Sequence, residues 1–182
     1  CRGYKELPKE RMVKRKGKIK KFKRKNLRKM NYEENLKKLG LKIPEAKAPV
    51  GNYVATKISG KILFVSGQIS INEKGELIKG KVGKDLDVES GYRAAKRCAL
   101  SIISQIMKAC NNDLTKIKSC IKLTGFVNST DNFEDQPKVI NGASDLIASI
   151  FGDAGMHTRA AVSVNSLPLG VAVEVDAIFE LN

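Results

Sequence analysis

The stretch 171–181, VAVEVDAIFEL, alternates apolar and polar residues with a period of two. That period fits a strand with one buried face and does not fit a helix. Val171, Val173, Val175, Ala177, Phe179 and Leu181 fall on one side. Glu174, Asp176 and Glu180 fall on the other, with Ile178 among them. The segment 159–165 before it also alternates, and Leu-Pro-Leu-Gly punctuates the gap. The pattern predicts two final strands, 159–165 and 171–181, paired as a hairpin. On that pairing Val162 and Val164 join the apolar face, while Arg159, Ala161 and Ser163 join the face of Glu174. A tight turn centred on Ser166-Leu167 sets Arg159 opposite Glu174, and a turn one residue later sets it opposite Asp176. Two uses of such an arginine are open. One is a cross-strand ion pair that neutralises two charges. The other is a guanidinium fork offered from a rigid strand to a small carboxylate.

Upstream, NYEENLKKLG (31–40) predicts a short helix capped by Asn31, with Leu36 and Leu39 on one face and Gly40 at its end. A Pro-punctuated connector follows. Residues 53–58 and 61–71 predict a hairpin across Ser59-Gly60. A polar, Gly-rich loop then leads to residues 86–110. There Val88, Tyr92, Ala95, Ala99, Ile102, Ile106 and Ala109 recur at intervals of three and four, one apolar face of a long helix. Asp85 or Asp87 can cap its start, and Asn111-Asn112 its end. Residues 117–127 predict a half-buried strand with Ile117, Ile121, Leu123 and Val127 inward. Residues 137–151 predict a second helix with Ile140, Ala143, Leu146, Ile147 and Ile150 inward, Pro137 in its first turn and Gly152 closing it. The order β-β-α-β-α-β-β predicts an α+β fold with both long helices on one face of a mixed sheet. The other sheet face then calls for cover, which a second copy of the chain supplies most simply.

The net charge of +15 is unevenly spread. Residues 1–30 hold 15 of the 34 basic residues and 2 of the 19 acidic ones, leaving +13 there and +2 in residues 31–182. The expected division is therefore a basic, disordered tail over 1–30 and one domain over 31–182. The tail reads as a polybasic arm for nucleic acid or an anionic membrane surface, as a stretch preceding a start at Met30, or as an acid-poor transit segment that lacks Ser. No apolar run approaches the ~18 residues of a membrane span, so no membrane partner is expected. No secretory signal is expected either, because no apolar stretch follows the basic start. Cys1, Cys98, Cys110 and Cys120 form no CxxC pair, and His157 is the only histidine, so a zinc site is not expected. Small buried thiols suit a reducing, cytoplasmic setting.

Three segments carry a family likeness: FVSGQI (64–69), NGASDL (141–146) and RAAVSVNSLPLGVAVEVDAIFEL (159–181). Together they resemble the RidA/YjgF reactive-intermediate deaminases, formerly called L-PSP endoribonucleases, over nearly all of 46–182. The resemblance implies a chorismate-mutase-like fold and a homotrimer, with the sheets as a central barrel, helices outside and clefts between subunits. It implies hydrolysis of enamine or imine intermediates such as 2-aminoacrylate to 2-oxo acids and ammonia, with no metal and no organic cofactor. By resemblance Arg159 binds the substrate carboxylate and Glu174 lies near the attacking water. Tyr53 of VGNYV, Ser66 with Gly67, and Asn141 match substrate-binding positions. Ala161 stands where many members have cysteine, so only its backbone carbonyl can act there and thiol nucleophilic catalysis is excluded. His157, two residues before Arg159, is expected to be an exposed or packing histidine. Two other functions compete: a non-catalytic trimer that binds small carboxylates, and an endoribonuclease or RNA-binding protein whose phosphate contacts come only from the basic tail.

Overall fold

The computed structural model of the chain describes residues 32–49 and 51–182. The basic tail and the Asn31 cap lie outside the described residues. Helix α1 (Tyr32–Lys38) precedes strands β1 (Thr56–Ser59) and β2 (Ile62–Ile69), helix α2 (Val88–Ala109) and strand β3 (Ile117–Asn128). Helix α3 (Gln136–Phe151), strand β4 (Thr158–Val164) and strand β5 (Val173–Leu181) complete the order. The order is the expected one, and so is the α+β class. Asp87 caps α2 by accepting from the Ser90 N–H, Pro137 stands in the first turn of α3, and Gly152 closes it at φ 59°. Gly40, at φ 62°, stands just past the end of α1. Leu36 is buried, whereas Leu39 lies past the helix end and is exposed. Among the described residues no helix is long and apolar enough to cross a membrane.

The five strands form one sheet in the order β1-β2-β5-β3-β4. The β1–β2 hairpin forms as expected, but its turn lies one residue later than the expected Ser59-Gly60: Ser59 pairs with Ile62, so Gly60-Lys61 make the turn. The final hairpin does not form. Strand β4 pairs with β3 in parallel, and β5 pairs antiparallel with both β2 and β3. Strand β3 therefore lies between β4 and β5. The reason is covalent: α3 joins β3 to β4, and a helical connection returns the chain parallel to its start. The eight residues 165–172 then step across the end of β3. They turn at Leu169 (φ 58°) and Gly170 (φ 69°).

This order changes which residues share a face. Arg159 aligns with Leu123, Leu123 with Ala177, and Ala177 with Val65. The last three are buried beneath α2 and α3, so Arg159 belongs to the helix side of the sheet. Glu174 aligns with Phe126, which aligns with Val162, on the opposite, open side. The expectation that Arg159 and Glu174 share a face is overturned. So is the inward placement of Val162, which is 45% exposed. Two extra residues in β3 correct the expected alternation: a shift between Ile117 and Ser119 brings Cys120 to the inner position, and a second between Cys120 and Lys122 leaves Ile121 outward.

The core fills the helix side. Ile140, Ala143, Leu146, Ile147 and Ile150 of α3 are all buried. Phe151 packs between Tyr32 and Phe179, at ring-centre distances of 4.8 and 5.9 Å. Helices α2 and α3 approach backbone to backbone at Gly142, where a Cβ would overlap the Tyr92 carbonyl. Asn35 of α1 donates to the Ile150 carbonyl at 2.8 Å and ties the first helix to α3.

Candidate active site

The edge strand β4 sets Arg159 beside α3, and α3 holds it. Arg159 Nη1 donates to Asn141 Oδ1 at 2.8 Å and to Ser144 Oγ at 3.0 Å. Asn141 and Ser144 are three residues apart, the spacing that brings two side chains to one helix face. Ser144 Oγ also lies 3.0 Å from His157 Nε2, and His157 Nδ1 lies 2.7 Å from the Gly155 carbonyl. Arg159 is exposed. Among the described residues no carboxylate pairs with it, neither Glu174 nor Asp176. The cross-strand ion pair with Glu174 or Asp176 is therefore not formed. A guanidinium with Nη1 engaged and its Nε and Nη2 hydrogens unspent among the described residues is suited to a planar anion. Ala161 follows on the same side of β4, half-buried, with its backbone in the β3 ladder.

The second group sits on the open side. Between Val65 and Gln68 the pairing of β2 with β5 is interrupted, and Ser66 and Gly67 fall in that bulge. Bulges of this kind re-aim side chains. Here the missing side chain of Gly67 makes room for Glu174, because a Cβ there would overlap its Oε1. Ser66 Oγ donates to the Val54 carbonyl at 2.8 Å, and Ser66 N–H to Ala55 at 3.0 Å. These bonds tether the segment that carries Tyr53, itself 54% exposed. Glu174 is half-buried. Burial first, and the like charge of Asp176 second, push its carboxyl above the usual carboxylate range.

The expected residues thus gather as two groups: Arg159 with Asn141 and Ala161, and Glu174 with Gly67, Ser66 and Tyr53. They do not meet within one chain. Glu174 and Arg159 stand two strands and three residues apart, about 14 Å by strand geometry, on opposite faces. Ser144 and the engagement of His157 were not expected. The Asn141–Ser144 spacing carries a signal for the first; nothing local pairs Ser144 with His157, because that contact joins α3 to the start of β4. The thiols of Cys98, Cys110 and Cys120 are free and buried, and burial pushes that of Cys120 up to about 12. None belongs to either group.

Known proteins share this architecture. The family model described as "YjgF/chorismate_mutase-like, putative endoribonuclease" matches residues 33–181. Protein TCP17 of Trypanosoma cruzi is 50% identical over 149 residues, covering 81% of this chain and 92% of that protein. The 2-iminobutanoate/2-iminopropanoate deaminase of Rattus norvegicus is 27% identical over 135 residues, covering 74% of this chain and 83% of the rat protein. The crystal structure of a "putative endoribonuclease" from Shewanella oneidensis matches with a TM-score of 0.79 at 36% identity, covering 82% of this chain and 99% of that one.

Proposed function

This chain belongs to the YjgF/chorismate-mutase-like family, and from that premise we propose that it hydrolyses reactive enamines and imines of the 2-aminoacrylate type to 2-oxo acids and ammonia. The observation that carries the reading is Arg159: an exposed arginine braced by Asn141 and Ser144 and left without an acidic partner among the described residues. The name of the rat relative, an imine deaminase, supports the reaction class.

The chemistry asks little of the protein. The tautomerised, protonated imine carbon is already electrophilic. Arg159 holds the carboxylate, with Ala161 bordering the pocket, and fixes the carbon against a water. Glu174 removes a proton from that water as its oxygen bonds to the carbon, and the C=N π pair moves to nitrogen. The raised carboxyl of Glu174 then returns the proton to the amine. The C–N bond breaks with its pair on nitrogen, the hydroxyl proton is lost, and ammonia and the 2-oxo acid leave. No redox partner is required. That the two groups occupy opposite faces of one sheet supports a site built between copies, in the homotrimer that the family resemblance implies. The Arg159 edge of one copy there meets Glu174, Gly67, Ser66 and Tyr53 of the next. Free buried thiols support a reducing compartment such as the cytoplasm.

The test generates 2-aminoacrylate in situ and follows ammonia and pyruvate with the full chain and with Arg159→Ala. Faster release with wild type, lost at least ~100-fold in Arg159→Ala, is the expected result. Equal release with and without wild-type protein overturns the reading. Retained pyruvate binding would then favour a non-catalytic carboxylate binder.

A further inference from the structure

We infer that His157 is a positioning residue that acts through the Ser144 hydroxyl to fix the rotation of the Arg159 guanidinium, leaving its Nε–Nη2 edge for a carboxylate. This rests on the proposed role of Arg159 as the carboxylate holder.

The hydrogen positions follow from what each atom can do. The Gly155 carbonyl only accepts, so His157 Nδ1, 2.7 Å away, must carry the hydrogen. In the neutral ring Nε2 is then a bare acceptor. Ser144 Oγ, 3.0 Å from Nε2, therefore donates its single proton to the ring. The lone pairs of that oxygen are left for Arg159 Nη1 at 3.0 Å. The second Nη1 hydrogen goes to Asn141 Oδ1 at 2.8 Å. Both hydrogens of Nη1 are thus spent on α3. The remaining flat edge, Nε–H with one Nη2–H, matches a carboxylate in the bidentate manner. Without His157 the Ser144 hydroxyl is free to rotate and turn its own hydrogen toward Arg159, where donor would face donor. The chain of bonds runs one way only, from arginine to serine to imidazole to carbonyl.

Substitutions separate this role from packing. His157→Gln keeps an acceptor near the position of Nε2, and His157→Asn does not. Ser144→Thr keeps the hydroxyl, and Ser144→Ala removes it. Pyruvate, titrated calorimetrically into the full chain, is the probe. Ser144→Ala and His157→Asn are each expected to weaken it about 3- to 10-fold, with KM for the imine raised by a similar factor and kcat little changed. His157→Gln and Ser144→Thr are expected to restore most of the affinity. The double variant Ser144→Ala/His157→Asn is expected to match Ser144→Ala alone, because the histidine has no other route to the arginine. Additive losses, or no loss in His157→Asn, overturn the inference. If pyruvate binding is absent, or is indifferent to Arg159→Ala, the carboxylate-holding role itself fails. Nitrogen NMR then still decides the positioning. An Nδ1–H tautomer of His157, with Arg159 Nη resonances that are distinct in wild type and averaged in His157→Asn, sustains it. An Nε2–H tautomer refutes it.

Discussion

A methyl group at Gly67 has no place to go except into the carboxylate of Glu174. Gly67→Ala is therefore expected to push Glu174 out of its bulge and lower deaminase turnover at least ~10-fold, a loss on the scale of a misplaced reacting group. The same substitution made with Glu174→Ala is expected to cost less stability than in wild type, since the overlapping atoms are gone. Equal losses in melting temperature in both backgrounds would remove the steric explanation. Glu174 itself carries a pH signature. Its carboxyl is raised by burial and by Asp176, so the folded chain holds this proton to a higher pH than the unfolded chain does. Stability then falls as pH rises through the folded pKa and stays lower above it. Glu174→Gln is expected to melt at or above the wild-type temperature at pH 7 while losing ~100-fold or more in turnover. Asp176→Asn removes one of the two causes, and the acid limb of the rate profile is expected to move to lower pH. An unmoved limb would assign it to another group.

At the scale of elements, the contact of α2 with α3 is the one that a single carbon disturbs most. Gly142→Ala sets a Cβ against the Tyr92 carbonyl and is expected to cost about 1–3 kcal/mol by overpacking, read as a lower urea midpoint at an unchanged slope. Because Asn141 and Ser144 ride on the same helix, a weaker hold on Arg159 should accompany it. These elements were legible in the sequence to different degrees. The inward residues of α3 and β5 follow from their periods, since each period states which side of an element is apolar. It does not state which element lies beside which. Sequence adjacency suggested that β4 and β5 pair, and α3 had already made β4 a parallel neighbour of β3. Arg159 consequently faces the helix side, with Asn141 and Ser144, and Glu174 faces away. The inward turn of Cys120 in place of Ile121 depends on two extra residues in β3, one on each side of Ser119-Cys120, which an alternating pattern with tolerant small residues does not reveal. The family likeness singles out Arg159, Asn141, Gly67 and Glu174 as expected site residues, yet their division into two groups is a property of strand order.

At the scale of the whole molecule, the open sheet side leaves Phe64 43% and Val162 45% exposed, beside the Glu174 group. On the proposed reading this side meets another copy, and Arg159 and Glu174 of any one site come from different chains. Arg159→Ala and Glu174→Gln, each inactive alone, are then expected to recover activity when unfolded and refolded together. Random mixing gives about one quarter of the wild-type sites an intact arginine and an intact glutamate. No recovery would mean that one chain supplies both, contrary to the strand order. The opposed faces also have a consequence for how such a protein is dosed. On the proposed reading a newly made chain carries two half-sites and no whole one, and below the concentration at which copies find each other it would be silent. Output then climbs more steeply than the number of chains, and a modest change in expression becomes a threshold instead of a proportional response.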